Sequence, residues 1–87
     1  MKVSVWDTYV KRDDGLTMHF DILVPEELTD EKQIFAYGLS YLEQKPFKTL
    51  GLTSKECEFC HIENATDTVE KQIQESGFYI IEMQNCN

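Results

Sequence analysis

The stretch Lys2-Val3-Ser4-Val5-Trp6-Asp7-Thr8-Tyr9-Val10, then Lys11-Arg12-Asp13-Asp14-Gly15, then Leu16-Thr17-Met18-His19-Phe20-Asp21-Ile22-Leu23-Val24, decides the fold. Each flank alternates and is rich in β-branched and aromatic residues, the pattern of a strand. The acidic segment between them is a turn, and Gly15 can take the positive φ that such a turn needs. Pro25 stops the second strand. A three-residue loop Asp13-Asp14-Gly15 sets Arg12 against Leu16, Tyr9 against His19, Asp7 against Asp21 and Val5 against Leu23. One face then carries Trp6, Thr8, Val10, Met18, Phe20, Ile22 and Val24. The other carries Val3, Val5 and Leu23 at one end and Asp7, Tyr9, Thr17, His19 and Asp21 at the other. A two-residue Asp14-Gly15 turn would slip the register by one and mix apolar with polar on both faces.

Beyond the hairpin, Asp30 with Gln33 three residues later opens a helix that carries Ile34, Phe35, Leu39 and Leu42 at helical spacing. Pro46 ends it near Gln44. Gly38 inside that helix costs about 1 kcal/mol relative to Ala, which points to close packing on the sheet. Residues 47–55 read as loop, and residues 56–61 as a short third strand with Phe59 inward. A second helix starts after Asp67, with Val69 and Ile73 four apart, and ends at Gly77, a left-handed C-cap. Residues 78–83 form the last strand. The order is β-β-α-β-α-β. It predicts a single small α+β domain over residues 1–87, with the hairpin in a mixed sheet packed against two helices. The later units resemble right-handed βαβ crossovers. Strand order does not follow from the pattern.

Eighty-seven residues suit one domain with a small core. A formal net charge of −8 argues against nucleic acid and anionic membrane as partners. Residues 54–87 hold seven acids against two lysines, so a basic protein partner is the sharper alternative to a merely solvated face, and a homo-oligomer is a further option. No apolar run approaches the roughly 18 residues of a membrane span. The N-terminus carries no signal-peptide pattern, which makes the cytoplasm the default location.

Two constellations carry chemistry. The first is Cys57-Glu58-Phe59-Cys60-His61, a C-x-x-C-H sequence, with Cys86 near the C-terminus. Three cysteines cannot close a disulfide framework and suit thiols or metal ligands in a reducing compartment. Cys57, Cys60 and Cys86 with His61 or His19 would supply the four N or S donors that zinc favours. Thiol redox chemistry is a second reading, disfavoured because no helix N-terminus adjoins Cys60 and because Glu56, Glu58 and Glu63 oppose a thiolate. C-type haem attachment is a third, with His61 axial, disfavoured because attachment takes place outside the cytoplasm. The fourth treats the cysteines as small packed hydrophobes. Strand order discriminates: Cys86 joins the C-x-x-C pair only if the last strand neighbours the third. The second constellation is Asp7, His19 and Asp21, which the hairpin register gathers on one face. Such a group can bind a metal or move a proton, or it can be a solvated strand face with His19 paired to an acid. No nucleophile–base spacing, phosphate loop or cofactor fingerprint is readable, so an enzyme is the least supported class.

Val5-Trp6-Asp7-Thr8-Tyr9-Val10, Met18-His19-Phe20-Asp21, Cys57-Glu58-Phe59-Cys60-His61, a glycine before an aromatic strand and a near-terminal cysteine together resemble a small bacterial family, the Domain of Unknown Function family number twenty twenty-four. The resemblance runs over nearly the whole chain. Trp6 stands where the family pattern has Phe, and Asn85-Cys86 where it has Gly-Cys. The resemblance implies a compact α+β domain and supplies no reaction. Its motif residues fall on Asp7, His19, Asp21, Cys57, Cys60, His61 and Cys86.

Overall fold

The computed structural model describes residues 1–87. It contains β1 (Lys2–Lys11), β2 (Thr17–Pro25), α1 (Glu31–Glu43), β3 (Cys57–Asn64), α2 (Asp67–Ser76) and β4 (Tyr79–Gln84), in the expected order. The hairpin has the three-residue register: Asp7 opposes Asp21, Tyr9 opposes His19 and Val5 opposes Leu23. Arg12 N–H donates to the Leu16 carbonyl, and Gly15 takes a φ of 90°, which closes the turn.

The hairpin forms the centre of a four-stranded sheet ordered β3-β1-β2-β4. All three pairings are antiparallel, so the sheet is not mixed. The reason lies in where the helices return the chain. From β2, α1 leads to β3 on the far side of β1, so β2 and β3 run the same way but never touch. From β3, α2 leads across the whole sheet to β4, which pairs with β2. Neither helix joins neighbouring strands: β2-α1-β3 is a crossover between parallel strands split by β1, whereas β3-α2-β4 joins antiparallel strands and is not a βαβ unit.

Strand alternation gives the sheet two buried faces. On one, Ile34 and Leu42 of α1 pack with Trp6, Val10, Met18, Phe20, Ile22 and Val24. On the other, Val69 and Ile73 of α2 pack with Val3, Val5 and Leu23. The domain therefore has three layers, helix, sheet and helix. Asp30 caps α1 by accepting from Lys32 N–H, and Thr66 caps α2 by accepting from Val69 N–H, one residue before Asp67. A Cβ on Gly38 would collide with Leu52 and crowd Ile22. The missing side chain lets Leu52, from the segment between α1 and β3, lie against the helix.

β3 runs three residues further than the sequence pattern suggested, to Asn64. Phe59 is not inward: it is 52% exposed. It does lie on the α1 side, edge-on to Trp6 at 5.8 Å. α1 packs chiefly on β2, however, and leaves the Phe59 ring half open to solvent. The β1–β3 register slips between Val5 and Trp6: Val5 opposes His61, Trp6 opposes Phe59, and Cys60 between them has no partner.

Candidate functional site

The face covered by α2 is apolar only where α2 reaches. Beyond Val5 and Leu23 the same side of the hairpin presents Asp7, Tyr9, His19 and Asp21. The antiparallel register sets the two carboxylates opposite each other, with His19 diagonal to Asp7. His19 Nε2 lies 2.5 Å from Asp7 Oδ1 and 3.9 Å from Asp21 Oδ1. One ligand atom from each residue falls within 4.8 Å of the others, and no other three His, Cys, Asp or Glu side chains gather this closely. The Tyr9 ring sits 4.2 Å from the imidazole, tilted by 42°. Beside Asp7 and Tyr9 a shallow cleft of about 270 Å³ is also lined by Lys55, Glu56 and Glu58.

No lysine or arginine pairs with Asp7 or Asp21; His19 is their one cationic-capable partner. Burial pushes the Asp21 carboxyl above its ordinary value, and the adjoining Asp7 pushes it further. His19 and His61 oppose that rise without cancelling it. Ionised Asp21 is thus a cost to the fold. As pH climbs past 3.8 the unfolded chain ionises first, and the native state loses stability until the folded carboxyl has ionised too. Asp21→Asn is therefore expected to be more stable than the native sequence at neutral pH. The difference should shrink as pH falls toward the ordinary carboxylate value. Urea unfolding across that range measures it.

The thiols do not assemble. Cys57 is buried against β1, where the Thr8 hydroxyl donates to its Sγ at 3.3 Å. Burial pushes the Cys57 thiol up, only partly offset by Thr8. Cys86 is buried at the opposite edge, where its thiol donates to the His19 and Gln84 carbonyls. β3 and β4 are the two edges of the sheet, so three strand spacings of about 4.8 Å separate them. Cys60 is exposed in the β3 bulge, with Sγ 3.3 Å from His61 Nδ1. His61 Nε2 contacts Glu63 Oε1 at 2.8 Å. Of the metal donors read from the C-x-x-C-H motif and Cys86, then, none gathers with the His19 imidazole, and Cys86 meets only the His19 backbone. His19 lies instead with Asp7 and Asp21. The Cys60–His61–Glu63 chain escaped the sequence because nothing in Glu58–Ile62 marks a bulge.

Three layers with a polar patch on the open half of one sheet face define a small α+β domain. The chain matches the family described as "Domain of unknown function (DUF2024)" over residues 1–83, and it belongs to that family. It is also similar to the NMR structure of protein NE1680 from Nitrosomonas europaea, a structural-genomics target. The two are 38% identical with a TM-score of 0.77, and the match covers 100% of both chains. No curated protein matches it. No helix is long and apolar enough to cross a membrane.

Proposed function

We propose that this domain binds one divalent transition-metal ion through Asp7, His19 and Asp21. The observation that carries the reading is two opposed carboxylates with an imidazole between them and no lysine or arginine to neutralise them. Metal–ligand distances of about 2.1 Å at tetrahedral angles place donor atoms about 3.4 Å apart. The spacings here straddle that value, so side-chain rotation alone would close the set. Two carboxylates and one imidazole suit manganese, iron, cobalt or zinc rather than the all-oxygen shell of calcium. A divalent ion would also offset the burial and the Asp7–Asp21 repulsion that together raise the Asp21 carboxyl. Three protein donors leave a position open toward the cleft beside Asp7 and Tyr9.

Titration of the reduced protein with manganese or zinc, followed by calorimetry and thermal unfolding, tests this reading. One ion per chain is expected. At a hundredfold excess over Kd the ion should stabilise the fold by about 2.7 kcal/mol, a rise in Tm of roughly 10–20 °C. An unchanged Tm and no saturable heat would end it. The remaining reading would then be a non-enzymatic interaction module. Its support is the free outer edge of β3 beside a groove lined by Trp6, Leu28, Phe59 and Ile62.

A further inference from the structure

We propose that Cys60 is a nucleophilic thiol, with His61 as its base and Glu63 as the residue that positions the imidazole, and that it exchanges with small cationic disulfides. Adjacent residues of a regular strand point to opposite faces, so Cys60 and His61 should not meet. The bulge removes Cys60 from the β1 register and re-aims it. Its Sγ then lies 3.3 Å from His61 Nδ1, while Nε2 lies 2.8 Å from Glu63 Oε1. A carboxylate only accepts, so Nε2 carries the proton and Nδ1 is free to take one from the thiol. This is a nucleophile, a base and a group orienting the base, in hydrogen-bond sequence. All three side chains are exposed, whereas Cys57 and Cys86 are buried and hydrogen-bonded elsewhere.

The Cys60 thiol proton passes to His61 Nδ1, and the thiolate attacks one sulfur of the disulfide. A new S–S bond forms as the old one breaks. The departing thiolate takes the proton back from the imidazolium and leaves as a free thiol. Cys60 is oxidised to a mixed disulfide, and one sulfur of the small molecule is reduced. With Cys57 and Cys86 in other surroundings, no second thiol of the chain stands ready to resolve the product, which persists until another small thiol attacks it. Around the pair, Glu63 and Glu58 lie on the same strand, Asp7 opposes Glu58 on β1, and Asp21 on β2 opposes Asp7 and feels His61; Lys55, beside Glu58 and Asp7, is the one basic side chain in that cleft. The excess of acids draws cationic disulfides over anionic ones. Cys60, His61 and Glu63 are none of the proposed metal ligands.

Cystamine reacted with the full, reduced chain and followed by intact mass is the test. One adduct per chain is expected, lost in Cys60→Ser. His61→Gln should slow the reaction at neutral pH by about tenfold. Glu63→Gln should slow it less, and Glu63→Asp should restore part of the rate. The rate–pH profile of the native chain should differ from the simple thiol-ionisation curve that His61→Gln follows. Oxidised glutathione, which is anionic, should react more slowly than cystamine. A rate and pH profile unchanged in His61→Gln, or an adduct that survives Cys60→Ser, would overturn the proposal. Unchanged amide NMR dispersion in each variant separates these outcomes from unfolding.

Discussion

Asp7→Ala is expected to abolish saturable manganese or zinc binding while leaving the fold intact. Asp7 sits on an exposed half of the hairpin, with 39% of its side chain accessible, and its contacts are His19 and the opposed Asp21 carboxyl. Its loss therefore removes little packing. It does remove one of three donors, and loss of even an outer-shell partner typically costs 10–100-fold in metal affinity. The expected loss exceeds about 100-fold, or roughly 2.7 kcal/mol of binding free energy. Asp21→Asn should show the same loss of ion response together with a higher metal-free Tm, because it removes the desolvation and the Asp7 repulsion that burden the ionised carboxyl. A variant more stable without ion and unresponsive to it would mark the pair as strained for a purpose other than folding. If both variants keep the native ion response, the site is elsewhere.

The largest expected effect on stability is at Phe20. It is fully buried under α1, opposes Thr8 on β1 and packs against the Tyr41 ring at 4.8 Å. Phe20→Ala should cost about 3–5 kcal/mol. A domain of this size is stable by roughly 4–13 kcal/mol, so the variant should lose much of its margin and unfold near or below ordinary working temperatures. Phe59→Ala removes the same side chain from the β3 edge, where half of it already faces solvent. It should cost under about 1 kcal/mol. Chemical denaturation of the two variants checks the layer assignment directly. Equal losses would mean that α1 does not define the main core.

The contrast between these two phenylalanines also shows what can be read from the chain. The hairpin is legible because its alternation is unbroken and Gly15 fixes the loop, so the meeting of Asp7, His19 and Asp21 follows from counting residues. Phe59 misleads because alternation tells which face a residue takes, not how far a helix extends over that face. Strand order was hidden for a related reason. Nothing in β3 or β4 states which side of the hairpin each joins, and the reach of the cysteines toward one another depends on that choice. The antiparallel sheet, the separation of Cys57 from Cys86 and the bulge that turns Cys60 toward His61 are all long-range consequences of where α1 and α2 set the chain down. Local propensity carries no trace of them.

The most direct measurement is a manganese titration of uniformly labelled protein, followed by paramagnetic broadening of its amide signals. Bound manganese relaxes nearby nuclei and leaves distant ones sharp. Binding at Asp7, His19 and Asp21 predicts early loss of signals from residues 7–9 and 19–21, ahead of the α1 residues on the opposite face. Broadening centred on Cys60–Glu63, or spread evenly over the acidic surface, would contradict the site.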